Sequence, residues 1–144
     1  MTTCIWDGKT LYTDSLVCDY YVRNIKKHRI LENGNLVFGA GDLYTLHCAW
    51  DWLEDRTLDK PSFNEEDGKF TSVMVEKVTE RERKVYIFNH QLTLVEIPNE
   101  LIVLGSGYEY VIGALASGVT ERVAMEIACK YDSASGGDII EVPF

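Results

Sequence analysis

The chain has 144 residues, of which 46% are hydrophobic and 26% are charged, and this composition predicts one folded domain over residues 1–144 with a hydrophobic core. Its formal net charge of -9 argues against nucleic acid and against an anionic membrane surface as the main partner. The apolar runs are far shorter than the roughly 20 residues of a membrane-spanning helix, and the first residues lack the pattern of a secretory signal. We therefore expect a cytoplasmic protein.

The spacing of cysteine and histidine gives no sign of a metal centre. The four cysteines and three histidines form neither a C-x-x-C pair nor an H-E-x-x-H motif. In a chain without an export signal, the cysteines are expected to be reduced thiols of the core, and we expect neither a metal nor a cofactor. The residues concerned are Cys4, Cys18, Cys48 and Cys129, with His28, His47 and His90.

The first forty residues show the strand and turn signals of two β-hairpins. Asp7-Gly8 and Asn33-Gly34 are dipeptides typical of hairpin turns, and Asp14 stands at the end of the second strand. The four predicted strands are residues 3–6, 11–13, 30–31 and 36–38. We expect both hairpins to lie in one β-layer.

A helix is predicted after residues 39–42, whose glycines interrupt the strand pattern. Asp42 is a good N-cap, and apolar residues recur behind it at helical spacing. These residues are Leu43, Leu46, Trp50 and Leu53. The helix is predicted to end near Glu54 or Asp55, and the polar stretch 56–69 is predicted to be a loop.

The second half of the chain begins with further strands. The predicted strands are residues 71–78, 84–88, 92–97, 101–104 and, at the end of the chain, 139–142. The run 101–104 is continuously apolar, which is typical of a strand that is covered on both faces.

Two helices are predicted between the last two strands. The first follows Gly107 and is ended by Gly118, and Thr120 can N-cap the second. In the second helix, apolar residues share one face, namely Val123, Ile127 and Tyr131. Strands and helices in this order favour a layered α+β domain in which helices pack on sheet.

Gly105-Ser106-Gly107 lies between an apolar strand and a helix, where a phosphate-binding turn would be found. The dinucleotide fingerprint needs a third glycine three positions later, and Tyr110 stands there instead. The glycine spacing around Ser106 also differs from the G-x-S-x-G elbow of hydrolases. In the ordinary structural interpretation, the two glycines allow a sharp turn from strand to helix.

Other candidate residues also have ordinary explanations when each is taken alone. The cluster 132–137 is explained by a helix end and loop with Gly136 in the left-handed region. Asp14 alone would be a turn former, and Lys27 in a basic run would be a solvated cation. If these residues serve no reaction, changing Asp14 or Lys27 should alter stability only.

Thr2 gives these residues a common role. If methionine aminopeptidase removes Met1, Thr2 carries a hydroxyl nucleophile and its own base, the free α-amine. Such a site needs a cation, an orienting carboxylate, groups that hold the amine, and a backbone N–H for the oxyanion. Residues of suitable types are Asp14, Lys27, Ser106, Asp132, Ser135 and Gly41.

These residues stand in motifs that follow one another along nearly the whole chain. The motifs are Thr2-Thr3, Thr13-Asp14, Asn24-Ile25-Lys26-Lys27, Arg29-Ile30-Leu31, Phe38-Gly39-Ala40-Gly41-Asp42, Leu104-Gly105-Ser106-Gly107 and Tyr131-Asp132-Ser133-Ala134-Ser135-Gly136-Gly137. In their order, spacing and local context, the sequence resembles the catalytic β-type subunits of proteasomes, including the bacterial ATP-dependent proteasome-like protease. In outline it is most similar to the compact bacterial and phage-borne members.

The resemblance implies a four-layer αββα sandwich of the N-terminal-nucleophile hydrolases, with two antiparallel sheets and a reduced helical layer. It implies a threonine endopeptidase in which Thr2 is the nucleophile, Lys27 assists its hydroxyl and Asp14 orients that lysine. The residues implied to position the amine are Ser106, Asp132 and Ser135, and the N–H of Gly41 is implied to face the oxyanion. It further implies a peptide or unfolded protein substrate, a homo-oligomeric ring, and a bacterial or infected-cell cytoplasm.

Several alternatives stay open at the level of sequence. Either Lys26 or Lys27 faces the site, because the choice depends on strand register. The loop 56–70 replaces a long helix of larger relatives, so ring size and an ATPase partner are not implied. The chain could instead be an inactive assembly subunit of the same fold or an amidase acting on a small metabolite.

Overall fold

The computed structural model describes residues 2–17, 22–63 and 68–144. It divides the chain into two compact units, one formed by the residues up to Lys27 together with Glu100–Phe144, the other by His28–Asn99. The prediction of a single domain over residues 1–144 stays a prediction. Among the described residues, no helix has both the length and the apolar character needed to cross a membrane.

Nine strands and three helices make up the regular structure of the described residues. The strands are β1 (Thr3–Trp6), β2 (Thr10–Thr13), β3 (His28–Ile30), β4 (Leu36–Gly41), β5 (Phe70–Lys77), β6 (Arg83–Asn89), β7 (Val95–Ile97), β8 (Ile102–Gly105) and β9 (Ile140–Pro143). The helices are α1 (Leu43–Glu54), α2 (Tyr108–Ala116) and α3 (Glu121–Tyr131). The protein is therefore a mixed α+β structure.

The first unit contains a four-stranded antiparallel sheet in the order β8-β1-β2-β9. Helices α2 and α3 pack against one face of this sheet, where Ile5 of β1 contacts small and apolar helical residues. The buried members of this core are Ile5, Val111, Ala114, Ala124, Met125 and Ala128. Most of the residues that sequence analysis singled out lie in the segments that flank or connect these strands and helices.

The second unit contains a five-stranded antiparallel sheet in the order β3-β4-β5-β6-β7, with α1 against it. Trp50 of α1 is fully buried, and its indole N–H donates to Ser72 Oγ at 3.0 Å. Ser72 Oγ in turn donates to the Phe38 carbonyl at 2.8 Å. The buried indole N–H therefore has a partner, as burial of a polar group requires.

Both sheets are buried on two faces in their central strands. In β1, Ile5 faces the helices of its unit, and its neighbours Cys4 and Trp6 are also fully buried. In β4, Val37 belongs to the α1 core, while Leu36 and Phe38 are fully buried as well. Since neighbouring strand residues point to opposite faces, each sheet has a second covered face besides the one that its helices cover.

The helix boundaries confirm both predicted N-caps. The Asp42 side chain accepts a hydrogen bond from the Thr45 N–H at 2.9 Å, and Thr120 Oγ1 accepts from the Val123 N–H at 3.3 Å. Helix α1 ends at Glu54, as predicted. The predicted loop 56–69 contains no regular element in its described part, and residues 64–67 lie outside the described residues.

The prediction that the first two hairpins form one layer is wrong. The β1–β2 hairpin belongs to the four-stranded sheet, and the β3–β4 hairpin belongs to the five-stranded sheet. Turn signals determine only local pairing. Membership of a sheet depends on distant partners, such as Val103 opposite Ile5 and Met74 opposite Val37.

The predicted end of β4 before residue 39 is also wrong, because the strand continues through Gly41. Gly39 is needed for close packing and does not interrupt the strand. A Cβ atom there would lie 2.6 Å from the Thr71 carbonyl oxygen and 2.7 Å from Leu46 Cδ2. The glycine therefore lets α1 and β5 approach the strand.

Three predictions about burial and backbone in the first unit need correction. Strand β8 is half-buried and pairs only with β1 among the described strands, so it is an edge strand that is not covered on both faces. The buried face of α3 consists of Ala124, Met125 and Ala128, whereas Val123 and Tyr131 are exposed. The two alanines are small enough to allow close packing. The glycine in the left-handed region is Gly137, with φ +73°, and Gly136 is not.

We predict that Gly39→Ala destabilises the protein by about 1–3 kcal/mol, because the added methyl group meets a backbone oxygen that cannot move away. The matched control is Gly113→Ala in α2, where the new Cβ has open space and the fold should gain about 0.5–1 kcal/mol. Urea unfolding followed by circular dichroism measures both changes. Equal effects of the two substitutions would contradict the proposed close approach at Gly39.

Candidate functional site

Asp14 is the centre of a buried group of charges and backbone donors in the first unit. Its side chain is fully buried, and Lys27 is 2% exposed. Lys27 Nζ donates to Asp14 Oδ1 at 2.9 Å, and the Thr3 N–H donates to the same oxygen at 3.0 Å. The second oxygen, Oδ2, accepts from the Gly136 N–H at 3.0 Å. The carboxylate is thus neutralised by one cation and hydrogen-bonded by two backbone donors.

The β1–β2 hairpin places Asp14 beside the start of the chain. In its register Thr13 lies opposite Cys4, so the next residue, Asp14, lies beside Thr3. The Asp14 N–H donates to the Thr3 carbonyl at 3.2 Å. The backbone and side chain of Asp14 therefore both hold the residue that follows Thr2.

A second polar cluster forms where α3 ends at Asp132. Asp132 Oδ2 accepts from Ser106 Oγ and from Ser135 Oγ, each at 2.6 Å. Asp132 Oδ1 accepts from the Ala134 N–H at 3.3 Å. Partial burial raises the pKa of Asp132, but the hydrogen bonds from both serines and from the Ala134 N–H outweigh it, so the pKa lies below its ordinary value of 3.8.

Thr3 connects the two clusters. Its backbone N–H bonds to Asp14, and its hydroxyl oxygen lies 2.6 Å from Ser135 Oγ. Ser135 uses its single proton to bond to Asp132, so the Thr3 hydroxyl is the donor in the Thr3–Ser135 bond. Thr3 therefore links the Lys27–Asp14 pair to the Ser135–Asp132 pair, with its amide bonded on one side and its hydroxyl on the other.

The turn Gly105-Ser106-Gly107 wraps closely around Thr2 and Thr3. Thr2 is 4% exposed, and its carbonyl accepts from the Ser106 N–H at 2.9 Å. Gly105 has φ +102°, and a Cβ atom on it would lie 1.7 Å from the Thr2 carbonyl oxygen. A Cβ atom on Gly107 would lie 2.1 Å from Thr3 Oγ1. The glycines therefore allow close backbone approach as well as the sharp turn that the sequence predicts.

The first unit thus brings together six of the residues that the sequence predicted for the site. They are Thr2, Asp14, Lys27, Ser106, Asp132 and Ser135. Lys27 is the lysine that faces Asp14, whereas Lys26 is exposed. The seventh residue, Gly41, ends β4 with φ +123° in the other unit, and its role at the oxyanion stays a prediction. The predictions about Met1 and Cys18 concern residues outside the described ones.

Sequence analysis missed the part played by Thr3 and Gly136. Thr3 stood in a motif but was assigned no role, because a threonine in a strand is ordinary. The hairpin register could have indicated it, since pairing residue 4 with residue 13 places residue 3 next to Asp14. Gly136 acts through its backbone N–H, and no side-chain motif marks a backbone donor.

The thiols near the site are held in the protonated form. Burial, and then the charge of Asp14, raises the pKa of Cys129 to about 11 and raises the pKa of Cys4 further still. Cys4, Cys48 and Cys129 form no disulfide with one another. In the described parts of the chain, no three His, Cys, Asp or Glu side chains are grouped so that they could hold a metal ion.

In chemical terms, the arrangement combines a buried cation with hydroxyl groups and a carboxylate around Thr2 and Thr3. Such groups can orient an amine, stabilise a deprotonated hydroxyl and move a proton along a hydrogen-bonded path. No protein-family model matches the chain, and no curated protein matches it at a significant level.

We predict that Lys27→Met destabilises the fold by about 3–5 kcal/mol, because it leaves the buried Asp14 carboxylate without its cation. Lys26→Met is the matched control, since its side chain is exposed and its change should stay within about 0.5 kcal/mol. Chemical denaturation at neutral pH measures both. Similar stabilities of the two variants would contradict the assignment of Lys27 to the buried pair.

We predict that the stabilising effect of Asp132 is lost in acid. Because its pKa is lower in the folded chain than its ordinary value of 3.8, the ionised form stabilises the fold above that value, and this effect disappears as the pH falls through the folded pKa. The difference in unfolding free energy between the wild type and Asp132→Asn should therefore be constant above about pH 5 and narrow below about pH 4.

The matched variant for this measurement is Ser106→Ala, which removes one donor and keeps the carboxylate. The folded pKa of Asp132 should rise towards its ordinary value in this variant. The pH-dependent part of the contribution of Asp132 to stability should therefore be smaller, and its loss should be complete at a higher pH. A difference between wild type and Asp132→Asn that does not change with pH would contradict the hydrogen-bonded carboxylate.

Proposed function

We propose that the chain is an N-terminal threonine peptidase of the proteasome-like type, which hydrolyses peptide bonds through an acyl ester on Thr2 after Met1 has been removed. The observation that carries the proposal is the bonding of Asp14. One of its oxygens accepts from both Lys27 Nζ and the Thr3 N–H, so a buried cation and its carboxylate are fixed to the residue next to Thr2. This is the relation that a terminal threonine nucleophile needs.

The proposed fold is the four-layer αββα sandwich of N-terminal-nucleophile hydrolases. Each unit provides one antiparallel sheet with helices on one face, α2 and α3 in the first and α1 in the second. Each sheet also has a second buried face, marked by Trp6 in β1 and Phe38 in β4. In a sandwich of this type, each sheet has helices on one face and a covered face on the other.

In the proposed reaction, the free amine of Thr2 takes the proton of the Thr2 hydroxyl, and the oxygen attacks the carbonyl carbon of the scissile peptide bond. The positive charge of Lys27 favours the developing negative charge on the hydroxyl oxygen, and Asp14 holds the lysine in place. The C–N bond then breaks, the leaving amine receives the proton, and water hydrolyses the ester. Neither a metal nor an organic cofactor takes part.

The second cluster has a separate role in this proposal. Ser106, Ser135 and Asp132 are joined by hydrogen bonds of 2.6 Å and would hold the amine of Thr2 and pass on its proton. A carboxylate whose pKa is lowered stays ionised at neutral pH, so it can accept hydrogen bonds from a protonated amine. The Gly41 N–H is proposed to face the oxyanion, as the resemblance to proteasome β-type subunits implies.

The proposed substrates are peptides or unfolded proteins, and the proposed assembly is a homo-oligomeric ring. These proposals follow from the resemblance of the sequence motifs to those of proteasome β-type subunits. The net charge of -9 is unfavourable for nucleic acid as an alternative partner.

A peptide epoxyketone tests the proposal, because its two-point adduct needs both the hydroxyl and the free amine of a terminal threonine. We predict that protein with Thr2 as its first residue gains the mass of one inhibitor per chain, and that protein retaining Met1 does not. Intact mass spectrometry measures both the state of the N-terminus and the adduct.

Thr2→Ser is the variant for a positive control and Thr2→Ala for a negative one, since serine keeps the hydroxyl and alanine removes it. If protein with a free Thr2 amine is folded and still forms no adduct, the peptidase proposal fails. The inactive assembly subunit would then be the better interpretation.

A further inference from the structure

Thr3 is a polar residue with no exposed surface, and each of its polar groups has a partner within the first unit. Its N–H donates to Asp14 Oδ1 at 3.0 Å, and its carbonyl accepts from the Asp14 N–H at 3.2 Å. Its hydroxyl bonds to Ser135 Oγ at 2.6 Å. A strand residue in a core has no need of a hydroxyl, so this one calls for an explanation.

The direction of the hydrogen bonds shows what the hydroxyl does. Ser135 has one proton and gives it to Asp132 Oδ2, which as a carboxylate can only accept. The Thr3 hydroxyl must then donate to Ser135 Oγ. By occupying the acceptor site of Ser135, it keeps the serine proton directed at Asp132.

The surrounding backbone is built to admit this hydroxyl. A Cβ atom on Gly107 would lie 2.1 Å from Thr3 Oγ1 and 3.1 Å from Ala128 Cβ. Any side chain at position 107 would therefore displace the Thr3 hydroxyl or the end of α3. Thr3 has no exposed surface and, since it follows Thr2 in the chain, it carries no free amine that could serve as its base. Its hydroxyl therefore acts through its neighbours and not as a nucleophile.

We propose that Thr3 is a positioning residue of this site, whose amide and hydroxyl join the Lys27–Asp14 pair to the Ser135–Asp132 cluster and fix both relative to Thr2. This inference rests on the proposed function, since the reaction that Thr3 would assist is that of Thr2. It assigns the residue after the nucleophile a role in holding Ser135 and Asp132 in the orientation that receives the amine.

The test compares two replacements of Thr3 in chains that begin at Thr2. Thr3→Val keeps the shape, the backbone bonds to Asp14 and the methyl group, and removes only the hydroxyl. Thr3→Ser keeps the hydroxyl and removes the methyl group. The readout is the rate of adduct formation with a peptide epoxyketone, measured by intact mass on protein whose folding is checked by circular dichroism.

We expect Thr3→Val to form the adduct about tenfold more slowly than the wild type, because one hydrogen bond is lost. We expect the rate of Thr3→Ser to be within about twofold of the wild type, because its hydrogen bond is intact. Ser135→Ala should also react slowly, and the double variant Thr3→Val with Ser135→Ala should be no slower than Ser135→Ala alone. Such non-additivity identifies two residues that act through one bond.

The pH profile separates positioning from a loss of structure. In the proposed reaction, the acid limb of the rate profile reports the protonation of the Thr2 amine, which is the general base. Without the Thr3 hydroxyl, Ser135 and Asp132 hold the protonated amine less well, so the pKa of the amine and the acid limb should move to lower pH in Thr3→Val. A purely structural defect would lower the rate equally at every pH.

Several results would overturn the inference while leaving the proposed function intact. The first two are a Thr3→Val that forms the adduct as fast as a reactive wild type, and equal slowing of adduct formation in Thr3→Val and Thr3→Ser. The other two are additive effects on the rate in the double variant, and a pH–rate profile of Thr3→Val whose acid limb is unchanged. A folded wild type that forms no adduct despite a free Thr2 amine overturns the proposed function, and the role of Thr3 with it.

Discussion

The buried carboxylate of Asp14 is the constraint on which the candidate site depends. A charge with no exposed surface must be compensated within the protein, and Asp14 is compensated by Lys27 Nζ and by the backbone N–H groups of Thr3 and Gly136. These partners come from three separate segments of the first unit. The hydrogen bonds to this one carboxylate therefore hold three segments at one place. The segments are strand β1, the connection that follows β2 and the loop that follows α3.

Close backbone approach is the second constraint, and it comes from glycine. Gly105 and Gly107 lie so near to Thr2 and Thr3 that a Cβ atom on either would overlap them. The intervening Ser106 can then use its N–H for Thr2 and its hydroxyl for Asp132. One short turn thereby links the start of β1 to the end of α3, although these elements are far apart in the sequence.

The sequence predicted those features of the fold that depend on neighbouring residues. Capping side chains at Asp42 and Thr120 gave the helix starts, and turn dipeptides gave the first hairpins. Sheet membership was not predictable, because it depends on pairs such as Ile5 with Val103, which leave no local signal. In the site, residue types pointed to Asp14 and Lys27, whereas Thr3 and Gly136 act through geometry that only strand register and the loop after α3 provide.

Stability alone does not explain why the chain keeps this pair of charges. A buried ion pair is expensive to desolvate, and apolar residues of similar volume often replace one without loss of stability. Asp14 and Lys27 nevertheless occupy positions with 0% and 2% exposure, inside a network that also orders Thr3 and Ser135. When a protein buries an ion pair despite the free energy of desolvation, the two charged residues are candidates for a functional site. Buried charges of this kind are often found at active sites. The residue that Asp14 and Ser135 both bind is Thr3, which directly follows Thr2. The free energy of burial alone does not explain why two buried charges are held at this position.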